Sequence, residues 1–273
     1  QEIKSFTILF KRIFLNFLFL PDNSDSKISF MNKILLTFLL TCLWIFPSDL
    51  KAQKHPKKIL LFYKTAAYKH ASIPAGIAAI VKLGKEFKFQ TDTSSDSNLF
   101  TVENLKKYNA VVFLSTSGDM LDSLQQRSFE NYIRTGGGYM GIHGASAGGY
   151  NWPWYGKLVG AIFNGHPVQQ FATFNVLDRK NRSTKHLPQS WNIKEELYNF
   201  KSISNDIKVL ITVDESTYKG GTNGSFHPMA WYREFEGGRS FYTALGHADE
   251  KYTNPLFLKH ILEGIRYAMG RKR

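Results

Sequence analysis

Three short apolar runs restrict this chain more than any other feature: 57–63 (KKILLFY), 110–115 (AVVFLS) and 138–142 (GYMGI). A strand with no polar face is buried on both sides, which is the pattern of a parallel sheet covered by helices. Helical spacing separates the runs. Pro74 opens a pattern with Ile77, Ile80, Val81 and Leu83 on one side, and proline suits a first helical turn. Residues 87–91 alternate as a further strand, and 101–105 start a short helix. Residues 122–134 carry Leu124, Phe129, Tyr132 and Ile133 on a helix that Gly136 ends. This alternation predicts an α/β fold, a single-domain three-layer sandwich around a mainly parallel central sheet.

Such sheets bind ligands beyond the carboxyl ends of their strands. His70, the 115–118 loop (STSG) and His143 all fall at such ends, so they are expected along one edge. The stretch 135–150, TGGGYMGIHGASAGGY, runs a strand straight into His143 and then into small residues. Small residues there let backbone N–H groups approach a ligand and tolerate a tight turn. Gly136, Gly137 and Gly138 precede their strand, so they read as a helix stop and not as a phosphate loop. Ser117 and Ser146 stand where a nucleophile could, but neither lies in G-x-S-x-G, which argues against a serine hydrolase.

The second half is less regular. A helix is expected from Trp152 through Ile162, a turn at Gly165-His166-Pro167 and an antiparallel or exposed strand at 169–177. Residues 178–194 read as a polar loop and 195–198 as a short ordered piece. Strands are expected at 207–213, 226–233 and 238–245, then Gly246-His247-Ala248-Asp249 and a closing helix over 255–269. No repeat or low-complexity linker divides 54–273.

The amino-terminal part has a different character. Met31 begins a basic head, an apolar core over 34–46 and a polar tail over 47–53 with Ala52 near its end. That layout is a secretory signal peptide, and its core is too short to favour a membrane span. Residues 1–30 read as an upstream, non-native extension, 31–53 as the signal peptide and 54–273 as the working domain, secreted or periplasmic. Cys42, the one cysteine, lies in the removable segment, so disulfides, thiolate metal sites and cysteine nucleophiles are not expected in the mature chain. The formal charge is +13, of which the first 53 residues supply six basic against four acidic groups. The remaining basic residues are scattered and no nucleic-acid motif accompanies them, so no nucleic-acid partner is expected.

Several motifs then occur in one order: the 64–72 loop with its His, 137–144, Trp152-x-Trp154-Tyr155, Gly165-His166-Pro167, Glu195-Glu196-x-Tyr198, His227-Pro228-x-x-Trp231-x-Arg233, and Gly238-Arg239-x-x-Tyr242 leading to Gly246-His247. From about residue 57 to 270 the chain resembles the ThuA-like, or trehalose utilisation, family. The resemblance implies a flavodoxin-like fold of the class I glutamine amidotransferase type and a role in carbohydrate breakdown. It also implies a lost nucleophile. Amidotransferases present a cysteine in G-x-C-x-G, whereas this chain has His143 there, while His247 and Asp249 keep the His-x-acid spacing. Imidazole cannot form the thioester of glutamine hydrolysis, so glutaminase activity is not expected.

Three readings of the histidines stand side by side. In the first, His143 and His247, joined by His70 or His166, hold a divalent metal such as zinc. In the second, His247 with Asp249 or Glu196 is a metal-free acid–base pair for proton transfer beside a sugar carbonyl. In the third, the histidines only hydrogen-bond a sugar or a loop. The catalytic candidates are therefore His143, His247 and Asp249. Substrate-binding candidates are His70, Ser117, Trp152, His166, Glu196, His227, Trp231 and Arg233, with the aromatic members offering flat faces to a sugar. The expected partner is a carbohydrate or small sugar derivative, and a homo-oligomer is compatible with the sequence. A non-catalytic carbohydrate-binding protein built on the same cleft is the alternative.

Overall fold

The computed structural model describes residues 56–270. The expected upstream segment and signal peptide, with Cys42, lie outside the described residues. The first half follows the alternation of apolar runs: β1 (Lys58–Phe62), α1 (Ile73–Phe87), β2 (Gln90–Ser94), α2 (Val102–Leu105), β3 (Ala110–Leu114), α3 (Ser123–Arg134) and β4 (Gly138–Ile142). Next come α4 (Pro153–Val159), β5 (Ile162–Phe163), β6 (Gln170–Val176), β7 (Ser190–Glu195), β8 (Phe200–Lys201) and β9 (Lys208–Asp214). β10 (His227–Phe235), β11 (Gly238–Thr243) and α5 (Pro255–Ala268) complete the described chain.

Nine strands form one sheet in the order β2-β1-β3-β4-β11-β10-β9-β6-β7. The β2 to β11 portion is parallel, and β10, β9, β6 and β7 extend it antiparallel. The fold is thus mixed α/β around a large, mainly parallel sheet, as the sequence predicts. Side chains alternate across it. Phe113 on β3 stacks on Phe129 of α3, whereas its neighbour Leu114 reaches Gly76 of α1 on the opposite face. Trp152 meets Phe129 on the α3 side, and α5 packs beside α1. β3 and β4 are buried at every position, as continuous apolar runs require.

Three local expectations change. α4 stops at Val159 because Gly160 turns left-handed, with φ of 96°, and Ile162 pairs with β8 instead. β2 begins at Gln90 because Phe87 still closes α1 and Lys88 takes the left-handed cap, with φ of 63°. The polar 178–194 stretch hides β7, whose Trp191 and Ile193 alternate with exposed neighbours on an edge strand. A half-exposed strand carries little apolar signal, so its period was masked by polar composition.

Candidate metal centre

Parallel strands β1, β4 and β11 all end on the same edge, and each delivers a histidine there. His70 comes from the loop after β1, His143 is the first residue beyond β4, and His247 follows β11. The fourth member, Glu196, comes from beyond β7. After Glu195 the chain crosses the edge as an unbroken buried segment, 195–200. The buried Glu195 carboxylate anchors this crossing by accepting hydrogen bonds from the backbone N–H groups of Gly246 and His247, both at 3.2 Å. Lys251 donates to the Lys194 carbonyl at 2.6 Å from the same turn. Glu195 and His247 are thereby tied together through the main chain.

One ligand-type atom from each of His70, His143, Glu196 and His247 lies within 4.8 Å of every other. Glu196 Oε2 is 3.0 Å from His247 Nδ1, 3.2 Å from His143 Nε2 and 3.8 Å from His70 Nε2. His143 Nε2 and His247 Nδ1 are 3.2 Å apart. Zinc–nitrogen bonds at the tetrahedral angle would hold their donor atoms about 3.3 Å apart. The measured spacings bracket that value.

The protonation pattern is also that of a ligand set. His143 Nδ1 lies 2.7 Å from the carbonyl of Ala244, which can only accept, so Nδ1 carries the proton. Complete burial pushes the His143 pKa down to about 4, outweighing the opposing pull of the Glu196 carboxylate, so the ring is neutral at pH 7. Its Nε2 therefore presents a bare lone pair to Glu196 Oε2 and His247 Nδ1. Such atoms at 3.2 Å repel unless a proton or a cation lies among them. A neutral imidazole fixed by a backbone carbonyl at its far nitrogen is the form a metal ligand takes.

Burial would raise the Glu196 carboxyl, but the surrounding His143, His247 and His70 side chains outweigh it and hold the group well below the usual carboxylate range. The bond to Glu196 raises His247 against partial burial. His70 Nδ1 is buried without a hydrogen-bond partner among the described residues, so no protein acceptor fixes that ring's tautomer from behind.

His143 has φ of 50°, and Ser115, at the matching end of β3, has φ of 47°. Both chains turn left-handed directly off adjacent strands, a conformation uncommon for residues with a side chain. The turn aims His143 over the edge and starts the short 3-10 segment His143–Ser146. Tyr242 locks it by donating to the His143 carbonyl at 2.8 Å. Tyr198 lies against the His143 ring at 4.5 Å, with its hydroxyl 3.4 Å from His70 Nε2.

The other sequence candidates divide. His166 stands half-exposed at the open side, its Nδ1 3.4 Å from Glu196 Oε1. His227 is engaged elsewhere; it lies 2.7 Å from the Tyr198 carbonyl through Nε2 and 2.8 Å from Glu215 through Nδ1. It holds the crossing segment. Ser117 donates to the Tyr68 carbonyl at 2.7 Å, a loop-fixing role. Trp152 and Trp231 are core residues, not a sugar platform. Trp152 stacks on Tyr155 and donates to Glu130; Trp231 is fully buried and donates to the Val159 carbonyl. Arg233 pairs with Asp206 and the Lys157 carbonyl, and its register opposite Ser240 puts it toward the far half of β11. Asp249 is exposed at the head of the next turn, and the carboxylate against His247 is Glu196. The His-x-acid spacing therefore pointed to the wrong acid: main-chain turning after His247 carries the Asp249 side chain outward, while a residue distant in sequence fills its place. Tyr198 and Glu195 were not among the site candidates, although the Glu-Glu-x-Tyr motif held both.

Residues 58–268 match the family model ThuA, described as trehalose utilisation. The chain belongs to the ThuA family. A ThuA-like protein from Bacteroides uniformis shares 25% identity over 82% of this chain and 95% of its own, with a TM-score of 0.67. A second, from Parabacteroides merdae, shares 19% over 80% and 93%, with a TM-score of 0.65. The fold also recurs in the β-galactosidase of Rahnella sp. R3, at 10% identity over 77% of this chain and 31% of that one, with a TM-score of 0.52. No curated protein matches the sequence. The segments that carry His70, His143, Glu196 and His247 all lie within the residues matched by the family model, and they meet at the edge formed by β1, β4 and β11.

Proposed function

We propose that this ThuA-family protein is a divalent-metal-dependent enzyme acting on trehalose, a related glycoside or an oxidised derivative. The observation that carries this reading is the convergence of His70, His143, Glu196 and His247, with one ligand-type atom of each within 4.8 Å of every other and His143 held neutral. Three imidazoles and one carboxylate suit zinc and also several redox metals. A cation held there would act as a Lewis acid on a sugar carbonyl or hydroxyl oxygen. The protein's own groups complete the site. His166, on the open side, is placed to hydrogen-bond a sugar hydroxyl, and the Tyr198 hydroxyl points at the same centre. The carbohydrate class rests on the family's trehalose utilisation. Work outside the cytoplasm, in the periplasm or after secretion, belongs to the same proposal and rests on the signal-peptide layout from Met31.

The 3.0 Å contact between His247 and Glu196 also favours a second reading, a metal-free acid–base pair. One assay separates them. Purified protein is incubated with trehalose and with its keto derivative, before and after complete chelation. Turnover abolished by chelation and restored by one equivalent of zinc, manganese or iron is expected. Turnover untouched by chelation selects the acid–base pair. Saturable sugar binding without turnover under every metal selects a non-catalytic binding protein.

A further inference from the structure

Glu196 and Tyr198 meet the histidines from a segment that no strand ladder holds. Residues 196–198 lie between β7 and β8, yet Glu196 faces three histidines and the Tyr198 hydroxyl stands 3.4 Å from His70 Nε2. Buried backbone outside a ladder needs other partners to fix it. Upstream, the Glu195 carboxylate fixes the segment to the backbone of Gly246 and His247.

Downstream, the grip comes from the connection between β9 and β10, residues 215–226. Asn223 pairs with Phe200 in both directions, accepting from its N–H at 2.9 Å and donating to its carbonyl at 2.8 Å. Asn199 donates to the Gly220 carbonyl and accepts from the Thr222 N–H, each at 3.0 Å. His227, fully buried at the first position of β10, reaches closest to Glu196 along the chain. Its Nε2 lies 2.7 Å from the Tyr198 carbonyl, which only accepts, so Nε2 carries the proton. Its Nδ1 lies 2.8 Å from Glu215 Oε1 and 3.1 Å from the Tyr218 hydroxyl. Glu215 is fixed in turn by the Asn223 N–H at 2.7 Å. The ring is braced from behind and aims one donor at the segment.

We infer that His227 is a positioning residue of the metal centre: its Nε2–H, held on the Tyr198 carbonyl, sets where Glu196 and Tyr198 stand against His70, His143 and His247. The Tyr198 ring lies against His143 with centroids 4.5 Å apart, and Glu196 precedes it by two positions. A shift of the Tyr198 backbone therefore moves both the carboxylate and the ring. Groups behind a metal ligand tune affinity by orienting it, without touching the metal. This role replaces the substrate contact that the sequence suggests for His227, and it rests on the metal reading above.

The test is zinc affinity of the folded protein, measured by competition with a chromogenic chelator, for wild type, His227→Gln, His227→Asn and His227→Ala. The two amides imitate different nitrogens. The glutamine amide reaches the Nε2 position and donates to Tyr198, whereas the asparagine amide ends near Nδ1, on the Glu215 side. His227→Asn and His227→Ala are expected to bind zinc about tenfold more weakly, and His227→Gln to stay within about threefold of wild type. Ser240→Ala controls for lost stability. It removes another buried donor to a carbonyl, 2.6 Å from Leu158 O, and should leave zinc affinity unchanged. Circular dichroism checks the fold of every variant, and the two amides still decide the matter if His227→Ala does not fold. Wild-type affinity in His227→Asn, equal weakening in both amides, or the same weakening in Ser240→Ala overturns the positioning role alone. Wild type that binds no zinc, manganese or iron overturns the metal reading, and the assignment falls with it.

Discussion

His143 shows how one residue can carry both strain and chemistry. Its left-handed φ of 50° is stabilised from two sides, by Tyr242 on its carbonyl and by Ala244 on its ring. Its neutrality follows from burial, and the same physics acts on a histidine away from the cluster. His260 is fully buried on α5, donates from Nδ1 to the Ser183 carbonyl at 2.9 Å, and is pushed down to about 4 by desolvation. An unfolded histidine takes up its proton near pH 6.5, whereas folded His260 does so only near 4. Between those values the unfolded state binds more protons, so stability falls as pH falls. The expected loss from this residue is about 3 kcal/mol across the window. Urea unfolding from pH 7 to 4.5 should show a shallower decline in His260→Asn, whose amide can still donate. An unchanged decline would contradict this assignment.

At the scale of elements, the strands buried on both faces were legible and the half-exposed ones were not. β1, β3 and β4 are recognisable because nothing polar interrupts them, and their ends put His70 and His143 at the sheet edge. β7 was hidden, and with it the route by which Glu196 reaches the histidines. That route depends on the Glu195 carboxylate grasping the backbone of the β11 loop, a contact across 51 and 52 positions that no local pattern encodes. β4 is also held by close packing. A Cβ on Gly138 would lie 1.9 Å from the Ala268 carbonyl oxygen at the end of α5. Since backbone lies on both sides of this contact, Gly138→Ala is expected to cost about 3 kcal/mol. The urea midpoint reads this out, and a variant within about 0.5 kcal/mol of wild type would show that β4 and α5 are not so tightly apposed.

At the scale of the molecule, a parallel sheet gathers the ends of β1, β4 and β11, and an antiparallel extension returns a carboxylate to the same edge. The His-rich edge was legible from the order of strands. The complete cluster was not, because Asp249 satisfies a sequence spacing while Glu196 satisfies the geometry. Large aromatics misled for a related reason: Trp152 and Trp231 lie beside site motifs in sequence, yet their size and apolar area draw them into the core. The measurement that bears most directly on the account is the metal content of the purified protein beside His143→Ala, Glu196→Ala and His247→Ala. One zinc, manganese or iron per chain is expected in wild type, with loss in all three variants while their circular dichroism stays native. Wild type that takes up none of these metals when each is supplied, although folded, would contradict the metal centre.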